Sequence, residues 1–86
     1  MSMIKELVLD ILKPDDPEII EFTKKICSLG SVTHIESSVV EVDKEVETVQ
    51  LIISGDDIEF EEVKKKMREL GASIHSVDGV TAEEKM

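Results

Sequence analysis

The stretches DDPEIIEFTKKICSLGSVTH (residues 15–34) and DDIEFEEVKKKMRELGASIH (residues 56–75) decide the fold, because they repeat one pattern forty-one positions apart. Each copy opens on two aspartates, continues with apolar residues at helical spacing, and closes on Leu-Gly before a short segment that ends in histidine. Each therefore predicts a helix that runs into a strand, with another strand in front of it. A twofold repeat of this size indicates a compact α+β sandwich.

The segments around the repeat complete the predicted order β-α-β-β-α-β. Residues 4–12 alternate as a strand, residues 32–42 and 46–54 form a hairpin around a turn at 43–45, and residues 72–80 form the last strand. This order predicts a single ferredoxin-like domain over residues 1–86, with one antiparallel four-stranded sheet and two helices on one face. A frayed polar tail is expected from about residue 81.

Both helices carry sequence signals for their ends and for their buried faces. We expect residues 15–18 to open the first helix with a carboxylate cap, the second helix to start at Asp56/Asp57, and left-handed terminators at Gly30 and Gly71. Residues at matching positions form the two core stripes, which are Ile19, Phe22, Ile26 and Leu29 in the first helix and Phe60, Val63, Met67 and Leu70 in the second.

Composition narrows the possible partners. The chain has 20 acidic and 10 basic residues, a net charge of −10, two phenylalanines, and no tyrosine or tryptophan. It would repel nucleic acid and anionic membrane surfaces, and it lacks aromatic platforms for stacking bases. We therefore expect no nucleic-acid or membrane partner.

The single cysteine and the N-terminal residues give an expectation for the cellular location of the chain. Cys27 has no partner for a disulfide within the chain, and it is expected to be a small buried residue. No signal peptide and no apolar run long enough for a membrane span are visible. The expected location is cytoplasmic.

One face of the predicted sheet has nothing within the chain to cover it. If Leu7, Leu9 and Ile11 face the helices, six apolar residues collect on the opposite face, which are Val8, Leu12, Val40, Val42, Val46 and Ile52. Exposed apolar patches of this kind usually mark association, so the expected partner is another copy of the chain, through this face or the long hairpin. The alternative is a monomer that tolerates an apolar back face.

The hairpin tip is a candidate metal site. A three-residue turn at 43–45 would place Glu41 opposite Glu47, and the two carboxylates would repel one another. A hard divalent cation, calcium or magnesium, would relieve that repulsion with Glu41, Asp43 and Glu47 as oxygen ligands. The alternative is a solvated charged turn.

A second candidate site lies on the first and last strands. Asp10 falls among aliphatic residues, where a carboxylate needs a partner, and His75 is expected on the same face of the neighbouring strand. The run HSVD (residues 75–78) interrupts an otherwise apolar strand, which makes Asp78 a third candidate ligand-binding residue. An Asp10–His75 hydrogen bond of purely structural value, and a strand end fraying into a turn, remain alternatives.

No enzyme mechanism can be assembled from these residues. The sequence shows no glycine-rich phosphate loop, no zinc-ligand pair and no Ser-His-Asp set, so no organic cofactor is expected. An enzyme that uses His75 as a general base oriented by Asp10 ranks last among the hypotheses.

Four segments together resemble the archaeal family known as domain of unknown function 211. They are LVLDILKP (residues 7–14), VVEVDKEVETV (39–49), SGDDIEFEEV (54–63) and ELGASIHSVDGV (69–80). The resemblance covers nearly the whole chain and implies a ferredoxin-like fold, a ring-shaped and heptameric homo-oligomer, and an activity that has not been assigned.

The leading functional hypothesis is a non-enzymatic, ring-forming homo-oligomer that binds divalent cations through clustered carboxylates. The alternative is a regulatory module that binds a small molecule at a subunit interface, near the helix starts or near the HSVD run, and it rests on analogy of fold.

Overall fold

The computed structural model describes residues 1–85 and contains the predicted order of elements. All neighbouring strands are antiparallel, in the order β2-β3-β1-β4, so β2 and β4 form the edges of the sheet. The ferredoxin-like α+β fold is thus confirmed. The elements are β1 (Ser2–Pro14), α1 (Ile19–Cys27), β2 (His34–Asp43), β3 (Val46–Ser54), α2 (Phe60–Glu69) and β4 (Ser73–Glu84).

The core lies between the helices and the two central strands. Leu7, Leu9 and Ile11 of β1 are buried opposite the equally buried Ile53, Leu51 and Val49 of β3. The helices contribute the predicted stripes, with four residues at most 1% exposed and the outer stripe residues packed against them. Those four are Phe22, Ile26, Val63 and Met67.

Both helices begin later than the aspartate pairs predicted. The caps are Glu18 and Glu59, and neither makes a side-chain capping hydrogen bond. The aspartate segments instead attach to neighbouring strands. The Asp15 N–H donates to the Glu45 carbonyl at 3.2 Å, and the Asp57 carboxylate accepts the Ile4 N–H at 3.2 Å. The cap of the first helix thus falls at the last residue of the expected range, without a side-chain hydrogen bond, and the expected start of the second helix is wrong because the Asp57 carboxylate is bonded to β1 instead.

The two predicted glycine terminators behave differently. Gly71 has φ +77°, the left-handed conformation that ends a helix, whereas Gly30 does not adopt a positive φ. The terminator prediction is therefore confirmed for the second helix and wrong for the first.

The last strand is longer and less regular than predicted. Residues 81–84 pair with the start of β1, and the Lys85 N–H donates to the Met1 carbonyl at 2.8 Å, so the expected frayed tail is wrong up to Lys85. Met86 lies outside the described residues. Three register shifts between β1 and β4 leave Lys5, His75 and Asp78 as extra residues. A bulge reverses the alternation of a strand, which is how Ile74 and Val77 come to share one face.

The hairpin has a different register from the predicted one. Its turn contains two residues, Lys44 and Glu45, and β2 has an extra residue between Val39 and Glu41. Consequently Glu41 pairs with Thr48 and Val42 pairs with Glu47, so the predicted opposition of Glu41 and Glu47 is wrong. Alternation within one strand cannot reveal the extra residue, which changes the face of every residue after it.

The corrected register also changes the predicted apolar face. Val42 lies on the helix side of the sheet with Glu47, and Val40 is the bulged residue. Val8, Leu12, Val46 and Ile52 remain on the back face, where polar residues of the same strands, Asp10, Thr48 and Gln50, separate them. The continuous back-face patch was therefore wrong in its extent.

Two further observations bear on the sequence predictions. Cys27 is exposed rather than buried, because it lies on the side of α1 away from Phe22 and Ile26. None of the helices in residues 1–85 has the length and apolar character needed to cross a membrane.

Candidate functional site

A buried lysine organises the end of the sheet next to the hairpin turn. Lys13 continues the helix-facing series of β1, and its side chain is fully buried. Its ammonium donates to the Pro14 carbonyl at 2.7 Å and to the Pro17 carbonyl at 2.6 Å. These bonds hold the segment between β1 and α1 over the end of the sheet, and the Asp15–Glu45 hydrogen bond ties that segment to the hairpin turn.

Glu47 supplies the charge that balances this lysine. Its Oε1 lies 3.0 Å from the Lys13 ammonium, at an angle outside the range of a hydrogen bond, so the contact is an ion pair. The Glu47 side chain is 23% exposed and lies directly across from Lys13. A buried ammonium needs such a partner, so Glu47 has a structural role that competes with binding a cation.

The other two predicted metal ligands lie on the opposite face of the hairpin. Glu41 and Asp43 are both exposed, and their register places them on the back face of the sheet. One Asp43 carboxylate oxygen accepts the Lys44 N–H at 2.9 Å. Within residues 1–85 of one chain, no three acidic, histidine or cysteine side chains are grouped closely enough to hold a metal ion. A cation at Glu41 and Asp43 would therefore need ligands from a second copy.

The second candidate site is not assembled within the described chain. Asp10 is half-buried on the back face between Gln50 and Ser76, whereas His75 is an exposed bulge residue of β4. The structure contains neither a hydrogen bond nor an ion pair between Asp10 and His75 over residues 1–85. Asp78 is the other bulge residue, and it accepts a hydrogen bond from the Ser76 hydroxyl at 2.8 Å. Ligand binding by Asp10, His75 and Asp78 stays a prediction.

Exposed apolar side chains are concentrated at the two edges of the sheet. On β2 they are Val39, Val40 and Val42, and on β4 they are Val77 and Val80. Four of these five valines lie on the helix side of the sheet, because each pairs with a helix-side residue of β1 or β3. The fifth is Val40, the bulged residue of β2. Both helices cover the centre of the sheet and leave its borders open.

A shallow groove accompanies the β2 edge. It encloses about 300 Å³ between α1 and β2 and is lined by Ile19, Ile20, Thr23, Lys24 and Ser37. The Thr23 and Ser37 hydroxyls are hydrogen-bonded to each other at 2.7 Å across its floor. Ile20 is 61% exposed on its rim.

Sequence reasoning overlooked two of these residues. Lys13 could have been found from the sequence, because it continues the alternating buried positions Leu7, Leu9 and Ile11. A lysine at the next position of that series must be buried with partners or must leave the strand. Ile20 could also have been found from the sequence, because its counterpart in the second copy of the repeat is the charged residue Glu61. An apolar residue where the repeat has a carboxylate indicates a different neighbour.

Comparison with known proteins confirms the resemblance of the sequence. Residues 5–86 match the DUF211 family, described as "Uncharacterized ArCR". The chain belongs to this family. It is also 40% identical over 86 residues to "Uncharacterized protein MJ0319" of Methanocaldococcus jannaschii, an alignment that covers 100% of this chain and 89% of that protein.

The DUF211 match begins at Lys5 in β1 and continues past the end of β4, so it includes every residue of the two candidate sites. The family and the relative both bear the description "uncharacterized", so the function of this DUF211 chain has to be argued from its own surface.

Proposed function

We propose that this chain is a non-enzymatic protein that assembles into a ring of identical subunits, and that the ring binds divalent cations. The observation that carries the proposal is the set of exposed valines at both edges of one small sheet. Val42 and Val80 are 68% and 57% exposed, and each has a second exposed valine beside it on the same strand. Apolar side chains grouped at a surface favour association, which removes them from water.

The two edges differ, and this difference favours a ring. A contact between unlike patches on two copies leaves one free patch at each end, so addition continues, and it gives a closed ring when the rotation between neighbouring copies returns to the first copy. β4 has bulges at His75 and Asp78, which interrupt the row of backbone groups available for pairing with another strand. Contact through side chains is therefore favoured over continuation of the sheet from one copy to the next.

The cation part of the proposal rests on Glu41 and Asp43 alone. Both carboxylates are exposed on one face near the hairpin turn, and neither forms an ion pair within residues 1–85. The net charge of −10 per chain would make a ring of copies strongly self-repelling. Calcium or magnesium bound between neighbouring hairpins would lower that repulsion, since hard cations prefer carboxylate oxygens.

Native mass spectrometry of the whole chain tests both parts. A single discrete multiple of the 9.6 kDa subunit is expected, with calcium-sized mass increments after exposure to calcium and none after chelation. The double variant Glu41→Gln with Asp43→Asn should lose these increments. The matched control is Glu36→Gln, an exposed carboxylate on the same face of β2 but away from the turn, and it should retain them.

The outcomes separate the two parts of the proposal. A monomer at all concentrations would refute self-assembly. An assembled ring without calcium increments would refute only the cation part, and increments that survive the double variant would exclude Glu41 and Asp43 as ligands.

A further inference from the structure

We infer that the back face of the sheet binds a linear aliphatic polyamine, in which methylenes join several ammonium groups, and that Asp10 is its central contact. The back face consists of the strand residues that point away from the helices. The inference stands on a single chain, and it rests neither on the ring nor on the divalent cations proposed above.

Basic and acidic side chains are separated between the two sides of the sheet. The two helices carry six of the ten lysine and arginine residues of the chain. On the back face, no paired strand position in residues 1–85 is a lysine or an arginine. The carboxylates of this face are spread over a central strand and an edge strand, and they include Glu6, Asp10, Glu36, Glu41 and Asp43. A surface with this composition attracts a cationic partner.

The spacing of these carboxylates favours a partner whose positive charges are also spread out. Asp10 lies near the middle of the back face on β1, and Glu36 and Glu41 lie two strands away on β2. Strand spacings of about 4.8 Å and a rise of about 3.3 Å per residue place either Cα roughly 12 Å from that of Asp10. A metal ion must gather its oxygen ligands around one point, and no group of three such side chains is present in residues 1–85. A polyamine instead brings separate ammonium groups to separate carboxylates.

Aliphatic side chains lie between the carboxylates of the back face. Along β1 the residues of this face alternate as Glu6, Val8, Asp10 and Leu12. Ile52 of β3 continues the apolar surface from Val8 towards β2. The methylenes of a polyamine would therefore lie on apolar groups while its ammonium groups meet carboxylates, and burial of the methylenes favours binding.

A lysine-rich peptide would offer the same charges but fits this face less well. Its backbone N–H and C=O groups need partners when they leave water. The backbone groups of the central strands β1 and β3 are already paired with strands on both sides. A polyamine carries only ammonium groups and methylenes, and the face has counterparts for both.

Asp10 is the carboxylate that is free to hold an ammonium group. It is half-buried between Gln50 and Ser76, and its carboxylate has no hydrogen-bond or ion-pair partner in residues 1–85. The Ser76 hydroxyl donates to Asp78 at 2.8 Å rather than to Asp10. A hydrogen bond from an ammonium to a carboxylate is stronger than one between neutral groups, so this position favours an amine over a neutral ligand.

Isothermal titration calorimetry of the whole chain with spermine, a linear tetraamine, tests the inference. Asp10→Asn should weaken the binding of spermine about tenfold, because it removes one charge-assisted hydrogen bond while keeping the shape of the side chain. The matched control is Glu21→Gln, which removes an exposed carboxylate of α1 and changes the net charge equally. Because salt screens a distant exposed charge, Glu21→Gln should change the affinity by less than about twofold.

The length of the amine gives a second test. Putrescine, a short diamine, cannot join Asp10 to a second carboxylate, so it should bind the wild-type chain about tenfold more weakly than spermine. Glu6→Gln, on the same face of β1, should weaken the binding of spermine in the same direction. It replaces the first variant if Asp10→Asn impairs folding.

Each outcome supports or overturns the inference. Absence of spermine binding to the folded wild-type chain would overturn it, and so would equal weakening by Asp10→Asn and Glu21→Gln, since binding would then follow net charge alone. Tighter binding of a lysine-rich peptide than of spermine, with the same loss in Asp10→Asn, would assign the face to a basic protein segment instead. Calcium increments in the mass spectrum should be unchanged by Asp10→Asn, so the divalent-cation proposal and this inference can fail separately.

Discussion

Phe22 and Val63 occupy equivalent positions in the two copies of the repeat, and both are fully buried. Ile26 and Met67 are equivalent in the same way and are also buried. The copies differ in size and shape at these positions, but both present an apolar group to the same sheet. Burial of the core face therefore constrains the two helices alike.

The two connections that lead into the helices are held in place by different interactions. Lys13 lies just before the connection from β1 to α1, and it is buried at one end of the sheet. Its equivalent forty-one positions later is Ser54, which lies just before the connection from β3 to α2 at the other end of the sheet. Gly55, which follows Ser54, approaches the Ser31 carbonyl so closely that a Cβ could not fit, and its N–H donates to the Lys5 carbonyl at 3.1 Å. One connection is held by an ion pair and the other by close backbone contact.

This comparison indicates where the chain has specialised. The lysine-held connection lies beside the hairpin turn and the exposed edge of β2, whereas the glycine-held connection lies at the far end of β3. The first end carries the proposed carboxylates, so an ordered connection there would also fix the position of the hairpin.

The largest expected effect is at Lys13. Lys13→Met should lower the free energy of unfolding by about 3 kcal/mol, because it leaves the partly buried Glu47 carboxylate unpaired and two carbonyls without a donor. Ser54→Ala, at the equivalent position, should change it by less than about 0.5 kcal/mol. Urea unfolding at one fixed protein concentration measures both values.

A second variant decides whether the ion pair causes this loss. Lys13→Met combined with Glu47→Leu removes both charges and should recover part of the lost stability. If the double variant is no more stable than Lys13→Met alone, the ion pair is not the source of the effect.

The same comparison explains how far sequence reasoning reached. Regular alternation in β1 and β3 and the repeated helix stripes predicted the core and the topology, because burial imposes its period on the sequence. Bulges have no such period. The extra residue at Val40 moved Val42 to the helix side and separated Glu41 from Glu47, and the bulges at His75 and Asp78 changed the geometry of the second predicted site.

The candidate interface was predictable only in part. Val42 was expected in an association surface on the back face of the sheet, but it lies on the helix side. The groove beside α1 depends on how far the helix lies from the edge strand, and this distance is a property of tertiary packing rather than of any local pattern.

Gly71 and Gly30 should respond to alanine in opposite directions. Gly71→Ala should destabilise the protein by about 1–2 kcal/mol, because an L-residue is strained at φ +77°. Gly30 has open space around it and no positive φ, so Gly30→Ala should stabilise the protein by about 0.5 kcal/mol through the unfolded chain. Thermal unfolding at matched protein concentrations shows whether each variant raises or lowers the melting temperature. Equal decreases for both variants would contradict the difference between the two helix ends.

The smallest expected difference is between Thr23 and its counterpart Lys64. Thr23→Val removes the hydrogen bond to Ser37, which joins α1 to β2 in a partly buried place, and should cost about 1 kcal/mol. Lys64→Met removes a surface ion pair with Glu61 and the ammonium that lies 5.3 Å from the centre of the Phe60 ring, and should cost about 0.5 kcal/mol, less at high salt. Urea unfolding at low and high salt checks both, with Ser37→Ala as the partner control.

Combining Thr23→Val with Ser37→Ala sharpens this test, because the two losses should be less than additive if a hydrogen bond joins the two hydroxyls across the groove. Thr23 also bonds to the Ile19 carbonyl at 2.7 Å, so Thr23→Val should remain the costlier single change. Fully additive losses would mean that the hydrogen bond does not hold α1 against β2. The shape of the groove beside Ile20 would then be set by the packing of α1 on the core rather than by Thr23.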